Sequence, residues 1–204
     1  MNLSKSHKIV DAHLLKYFDN NEFMIFHEKE SQYFHLDIYW IKPNESRNYN
    51  ILLTNGISSQ PFNTPDKNLT KYIELCILLP PDWVSDNNWK QPEKNWPITL
   101  LSSTGRYPFQ NKTWLGFSHT IETGYLLPGT NFEGIILLKS TMLPTDFQKI
   151  DYKENNIEIY TVFPLYMNEL NFVRNNNLKD LMELFDKEKF NDIVNINRKN
   201  VCDK

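Results

Sequence analysis

Few residues in this chain have types and positions suited to acid–base chemistry. His119 and Glu169 are the best candidates, because each lies beside a turn or a helix-start signal. A histidine and a carboxylate within reach of one substrate could act as general base and general acid. The two are 50 residues apart in the chain, however, and a structural role is more common for a lone histidine and a lone glutamate. A hydrolase that uses this pair is therefore the third-ranked hypothesis.

Other catalytic patterns are missing from the sequence. Nucleophilic catalysis needs a Ser, Cys or Thr beside a base, and the segment Gly56-Ile57-Ser58-Ser59-Gln60 lacks the second glycine of a nucleophile elbow. No phosphate-binding glycine loop, dinucleotide-binding pattern or His-Glu-x-x-His motif occurs. The two cysteines, Cys76 and Cys202, form neither a disulfide framework nor a zinc-binding spacing. We therefore expect no enzymatic activity, no cofactor and no metal site.

Charge and hydropathy narrow the possible partners and location. The net charge is −3 and no basic stripe is present, so direct nucleic-acid binding is not expected. The N-terminus lacks the apolar region of a signal peptide, and no run approaches the ~18 apolar residues of a membrane span. Abundant Lys, Asn and Ile suggest an AT-rich genome. A bacterial cytoplasmic protein is the default expectation.

The elements that must position any functional residue are organised around Thr70–Leu79. This is the most apolar run in the chain, and Pro80-Pro81 ends it. At a period of two residues both of its faces are apolar, which indicates a strand covered on both sides. We expect this strand to lie in the middle of a sheet.

The remaining patterns predict further strands and helices. Apolar periodicity predicts helices over Lys5–Phe18, after Asn95 with Pro97 in the first turn, from Pro164 and from Leu178, and strands over Phe23–Phe26, Tyr33–Ile41, Ile51–Thr54, Glu133–Lys139 and Ile157–Phe163. The predicted fold is α+β, with a mostly antiparallel or mixed sheet and helices at the N- and C-terminal ends packed on it. No repeat or linker divides the chain, so residues 1–204 are expected to form a single domain.

Aromatic residues are the best candidates for contact with a partner. Trp83, Trp89 and Trp96 lie in the segment Asp82–Pro97 among polar residues, and Tyr107 follows Trp96 on the predicted helix. Tryptophan is enriched at interface hot spots, so this loop could be a recognition surface. The alternative is that the three indoles close the core, which is the more frequent role of spaced tryptophans.

Several stretches, in this order, carry a family resemblance. They are His35-Leu36-Asp37-Ile38-Tyr39-Trp40; Leu53-Thr54-Asn55-Gly56-Ile57-Ser58 followed by Pro61; Ile73-Glu74-Leu75, Leu79-Pro80 and Trp83; Trp96-Pro97-Ile98; Tyr107-Pro108-Phe109; Trp114-Leu115-Gly116-Phe117-Ser118-His119-Thr120-Ile121; Phe163-Pro164-Leu165-Tyr166 with Glu169-Leu170; and Asn197-Arg198-Lys199-Asn200. Over about residues 30–200 the chain resembles the suppressor of fused domain family. Ser118 stands where the family usually has glycine.

The resemblance implies an α/β sandwich-like domain without enzymatic activity. Stand-alone bacterial members look like immunity proteins of polymorphic (LXG-type) toxin systems, so the implied partner is a cognate toxin, often a nuclease. The alternative is a peptide-binding adaptor in which an extended ligand adds to an exposed strand edge. In either case the candidate partner-binding residues are Trp83, Trp89, Trp96, Tyr107, His119 and Glu169.

Overall fold

The fold is built on one eight-stranded sheet. The computed structural model describes residues 4–28, 33–84, 88–153 and 155–203. The strands are β1 (Phe23–Phe26), β2 (Asp37–Ile41), β3 (Asn50–Asn55), β4 (Tyr72–Leu79), β5 (Thr120–Glu122), β6 (Gly134–Leu138), β7 (Lys149–Tyr152) and β8 (Asn155–Leu165). Their order across the sheet is β1-β2-β3-β4-β8-β6-β5, and β7 also pairs with β8. β4 and β8 are parallel, and the other pairs are antiparallel. The α+β class and mostly antiparallel sheet are confirmed.

Helices cover both faces of the sheet. They are α1 (Lys5–Leu14), α2 (Pro92–Asn111), α3 (Met167–Asn175) and α4 (Leu178–Lys187). Helix α2 packs on one face through Trp96, Leu100 and Leu101. On the other face, α1 packs near β3 and β4, whereas α3 and α4 pack near β6 and the end of β8. In the described part of the chain, no helix is both long and apolar enough to cross a membrane.

β4 occupies the middle of the sheet, as its apolar pattern predicts. It lies between β3 and β8, and every residue of the strand is buried. Ile73, Leu75, Ile77 and Leu79 face α2, and Tyr72, Cys76 and Leu78 face α1. Burial raises the pKa of the Cys76 thiol to about 12, so this cysteine is an inert part of the core.

Three elements have a boundary that differs from the sequence prediction by about four residues or more. Helix α2 begins at Pro92 after Gln91, because Pro92 and Glu93 supply the same helix-start signals as Pro97, five residues earlier. Much of the predicted Asp82–Pro97 loop is therefore a 3-10 turn (Asn88–Lys90) and the first turns of α2; residues 85–87 lie outside the described ranges. Strand β2 starts at Asp37 and helix α1 ends at Leu14, so both elements are shorter than predicted.

The fourth difference concerns Pro164, which the sequence assigns to a helix start. The structure places it near the end of β8, opposite Ile135 of β6, and α3 begins only at Met167. The Pro164 carbonyl accepts a hydrogen bond of 2.9 Å from Arg198 Nη2, so its oxygen has a partner while the residue stays in the strand. The helix starts after Tyr166, whose N–H donates to Glu169 Oε2.

Candidate functional site

β5 forms one end of the sheet and presents unpaired backbone groups. Leu137 N–H donates to His119 O and Thr123 N–H donates to Glu133 O, both at 2.9 Å. The backbone groups of His119 and Thr123 that form these bonds therefore point towards β6. In an antiparallel ladder the residues between such pairs point their N–H and C=O groups the other way. The backbone groups of Thr120 and Glu122 therefore point to the open side of β5. Among the described residues, no donor or acceptor from another element bonds to them.

A groove runs beside this edge, between β5 and α2. Its volume is about 160 Å³, and Tyr107 and Gln110 of α2 and Ile121 and Tyr125 line it. Ile121 pairs with Ile135, which belongs to the core cluster under α2, so Ile121 points to the groove side of the sheet. The groove thus has an aromatic rim above an apolar strand residue.

Exposed apolar side chains are concentrated around β5. Phe117 is 50 % exposed and Tyr125 is 51 % exposed, and Tyr107 and Leu126 are also exposed. Phe117 precedes β5 and the Tyr125-Leu126 pair follows it, in a loop where Gly124 has a φ of 77°. Large apolar side chains in such numbers at one edge strand are typical of a binding surface. We call Thr120–Glu122, the groove and these four side chains the β5 edge.

On the face of the sheet opposite the groove, β5 carries charged side chains. Arg174 of α3 donates through Nε to Thr120 Oγ1 at 3.2 Å, and its Nη1 lies 3.5 Å from Glu122 Oε2. Both charged side chains are substantially exposed, so the ion pair contributes little to stability. A strand added at the β5 edge would meet apolar side chains on one side and this exposed ion pair on the other.

His119 immediately precedes β5 and is partly buried. Its ring lies edge-on to the Trp114 ring, with centroids 4.2 Å apart. Burial lowers the pKa of His119, and a hydrogen bond to the Trp114 backbone opposes that shift. The imidazole is therefore favoured in its neutral form next to the strand edge.

Glu169 lies in a separate, fully buried environment. Its two carboxylate oxygens each accept a hydrogen bond of 2.5 Å from Arg198, and they also accept the N–H groups of Tyr166 and Val201. The structure describes no contact between Glu169 and His119. Each side chain is occupied by its own partners, so the geometry gives no support to a shared acid–base site.

The three tryptophans are part of the core in the described structure. Trp83, Trp89 and Trp96 are all less than 10 % exposed. Trp83 contacts Trp96 edge-on at 5.7 Å, and its indole N–H donates to Lys94 O. Trp89 packs edge-on against Trp40 at 5.0 Å. This burial is what the packing alternative predicts, and a role of the indoles in partner binding stays a prediction.

Of the candidate residues, Tyr107 and His119 lie at or beside the β5 edge. The sequence reasoning missed Ile121, Tyr125, Leu126 and Arg174, which complete it. The available signal was the apolar Tyr125-Leu126 pair inside a segment rich in turn residues, where no core strand or helix explains it.

A comparison with known protein families shows to which family the chain belongs. The model of the suppressor of fused protein (SUFU) matches residues 32–199. The chain belongs to the suppressor of fused family. The family resemblance seen in the sequence is therefore confirmed, whereas the further resemblance to immunity proteins remains a proposal.

Individual proteins and solved structures are also similar to the chain. Over 167 residues the chain is 26 % identical to uncharacterized protein UU111 of Ureaplasma parvum, covering 80 % of this chain and 78 % of that protein. A chain in the Sufu–Fu complex crystal structure superposes with a TM-score of 0.69 at 15 % identity, covering 97 % of this chain and 92 % of that one.

Two further SUFU-family structures have the same fold. A SUFU homologue from Neisseria gonorrhoeae superposes with a TM-score of 0.64 at 18 % identity, covering 98 % of both chains. Drosophila Suppressor of Fused superposes with a TM-score of 0.55 at 16 % identity, and the match covers 82 % of this chain and 42 % of the Drosophila chain. At these identities the structures show a shared fold.

Proposed function

We propose that this SUFU-family protein is a non-catalytic binding module that takes an extended segment of a partner protein as an extra strand on β5. The observation that carries the proposal is the set of outward-facing backbone groups of Thr120 and Glu122 beside an aromatic groove. A related chain was crystallised in a Sufu–Fu complex, which supports a protein-binding role for this fold.

Strand addition uses the two features that the β5 edge combines. Main-chain hydrogen bonds to the unpaired groups supply affinity that does not depend on the ligand's sequence. Alternate ligand side chains point to opposite faces of the sheet, so every second one would contact Tyr107 and Tyr125. We therefore expect the preferred segment to alternate, with apolar residues on the groove side and polar residues towards Arg174.

A narrower form of the proposal makes the partner a toxin domain and the protein its immunity protein. Similarity to proteins of Ureaplasma and Neisseria is compatible with a bacterial partner. The two forms differ in what must be bound: an adaptor recognises a short segment alone, whereas an immunity protein requires the folded toxin. The adaptor form is preferred because exposed apolar side chains flank β5, whose outer edge carries unpaired backbone groups that a short extended segment could use.

The first experiment identifies the partner at the proposed site. A photo-crosslinking amino acid placed at Tyr125 should capture a partner in cells, whereas the same group at Tyr17, an exposed tyrosine beyond α1, should not. Overlapping peptides from the captured protein are then tested by fluorescence anisotropy. Binding of one peptide supports the adaptor form, and binding of the folded partner alone supports the immunity form.

The second experiment tests the binding mode with that partner. Thr120→Pro removes an outward N–H without removing a β5–β6 hydrogen bond, and proline is tolerated on an edge strand. We expect this variant and Tyr107→Ala each to weaken binding about tenfold or more, the usual effect at an interface hot spot. Tyr17→Ala is the matched control. Binding that survives both changes but is lost in Asp82→Ala or Lys90→Ala would contradict the proposal and favour the tryptophan-containing segment.

A further inference from the structure

Three potential metal ligands converge at the other end of the sheet. His27 follows β1, His35 precedes β2, and Asp37 is the first residue of β2. His27 Nδ1 lies 3.2 Å and His35 Nε2 lies 2.9 Å from Asp37 Oδ1, and the three ligand atoms are all within 4.8 Å of one another.

The strand register explains why these residues meet. β1 and β2 pair so that Phe26 lies opposite Ile38, and one further step along the same register places His27 opposite Asp37. His35 and Asp37 are two residues apart, so they lie on the same side of the extended chain. The cluster is therefore built into the sheet and does not depend on a chance meeting of long surface side chains.

The separations fit metal coordination. Ligand atoms about 2.0–2.2 Å from a Zn²⁺ ion, at tetrahedral or octahedral angles, are roughly 3–3.5 Å apart. Both nitrogen–oxygen distances in the cluster are close to this range. Two imidazoles and one carboxylate are ligands that zinc and other first-row divalent transition metals accept, whereas Ca²⁺ and Mg²⁺ prefer oxygen ligands alone.

We propose that His27, His35 and Asp37 form a site for a divalent transition metal, with Zn²⁺ as the favoured ion. The Asp37 side chain is 8 % exposed and that of His35 is 16 % exposed, so two ligands are held inside the fold, whereas that of His27 is 68 % exposed. A cation between them compensates the buried carboxylate and leaves coordination positions open to solvent beside His27. Three protein ligands with an open position are the pattern of a site that can also take water or a partner's side chain.

Groups around the cluster hold the two inner ligands in place. His7 Nε2–H donates to the carbonyl oxygen of His35 at 3.2 Å, and Asp37 is paired with Asn55 of β3. Restricted ligands lose less entropy on metal binding than mobile ones. The ion would link the end of β1 to the start of β2, so binding should also stabilise the folded chain.

Metal binding is tested on the full chain with the affinity tag removed and with Cys202→Ser as background, because the partly exposed Cys202 thiol is an alternative zinc ligand. After dialysis against EDTA, ZnCl₂ is titrated by calorimetry and CoCl₂ by visible absorption. We expect one equivalent of either ion, a visible Co²⁺ ligand-field spectrum, and a higher Tm with Zn²⁺. Binding should weaken on acidification, because imidazole ligands must be neutral.

His27→Ala is the decisive variant, because an exposed side chain can be removed without unfolding the protein. It should keep the wild-type far-UV circular dichroism and lose about tenfold or more in metal affinity, with loss of the Co²⁺ spectrum. His119→Ala is the matched control and should bind metal like the parent chain. Absence of metal uptake by the parent chain would show that the cluster is a hydrogen-bonded one only, and equal uptake by His27→Ala would place the ion elsewhere; either result overturns the proposal.

Discussion

Glu74 and Glu169 are both completely buried, but the fold compensates their carboxylates in opposite ways. Glu74 lies on β4 among neutral hydrogen-bond donors that come from a short neighbouring stretch of chain. Glu169 lies on α3 and is paired with a cation 29 residues further along. Because burial of an uncompensated charge is costly, both arrangements are needed for the fold, but they respond differently to mutation.

The Glu74 carboxylate accepts hydrogen bonds of 2.6–3.0 Å from Thr54 Oγ1, Gly56 N, Ser58 N and Ser58 Oγ. Gly56 has a φ of 148°, and a Cβ at this position would lie 2.2 Å from the carbonyl oxygen of His35. Only glycine can therefore turn the chain so that its N–H reaches the carboxylate. Burial nonetheless raises the pKa of Glu74, and the four donors oppose this shift only in part.

The Glu169–Arg198 pair links the C-terminal segment to α3, next to the end of β8. Besides its two bonds to Glu169, Arg198 donates to the carbonyl oxygens of Pro164 and Lys199. Its guanidinium also lies about 5 Å from five aromatic rings, those of Phe132, Phe163, Tyr166, Phe185 and Phe190. The comparison indicates that the hydrogen bonds around Glu74 depend on the protonation of its carboxyl group. The Glu169–Arg198 pair, in contrast, is lost as a whole when either partner is removed.

The largest effect is expected from Arg198→Met. Removing the cation leaves a buried carboxylate unpaired, so the free energy of unfolding in urea should fall by about 3–5 kcal/mol. Arg174→Met, which breaks an exposed ion pair, should cost less than about 1 kcal/mol. Adding Glu169→Gln to Arg198→Met should recover part of the loss, because the amide carries no charge that needs a partner and its single oxygen still accepts one of the Tyr166 and Val201 N–H groups. A double variant as unstable as the sum of the singles would contradict this account.

A smaller effect is expected from Ser58→Ala. It removes one hydroxyl donor of the Glu74 network, so stability near pH 8 should fall by about 1–3 kcal/mol, the range for hydrogen bonds to charged groups. The loss should become smaller as the pH is lowered, because a protonated carboxyl depends less on donors. Ser103→Ala is the control, since that hydroxyl donates to a carbonyl oxygen within α2. A loss that does not change with pH would contradict this account.

The smallest effect, and the most specific, is expected from Glu74→Gln. Because the folded pKa lies above the unfolded value of about 4.5, the folded chain binds the additional proton, and wild-type stability falls as pH rises through the folded pKa. Glutamine cannot titrate, so urea midpoints of the variant should lack this fall, and the variant should gain on the wild type by at most about 1.4 kcal/mol per pH unit. Glu122→Gln, at an exposed position, should leave the wild-type pH profile unchanged. Parallel profiles for wild type and Glu74→Gln would rule out the proposed titration.

Much of the sheet could be predicted from periodicity. The two-residue alternation of β4 and β2 and the short strand β1 depend on neighbours within a few residues, and the structure has these strands as expected. The start of α2 was misplaced because Pro92 and Pro97 carry the same local signal, and only packing of the helix on the sheet distinguishes them. The Pro164 prediction failed for a related reason: its pairing with β6 and the hydrogen bond from Arg198, 34 residues away, are not local signals.

The sequence by itself determined the class of fold, the central strand and the family, because these follow from local hydrophobic patterns and from ordered motifs along the chain. The tertiary structure alone decided which side chains meet: His27 with Asp37 through the β1–β2 register, Glu169 of α3 with Arg198 of the C-terminal segment, and Tyr107 with Ile121 across the groove. The physical reason is that periodicity reports which face of an element is buried. It carries no information about the register and packing that bring distant side chains together.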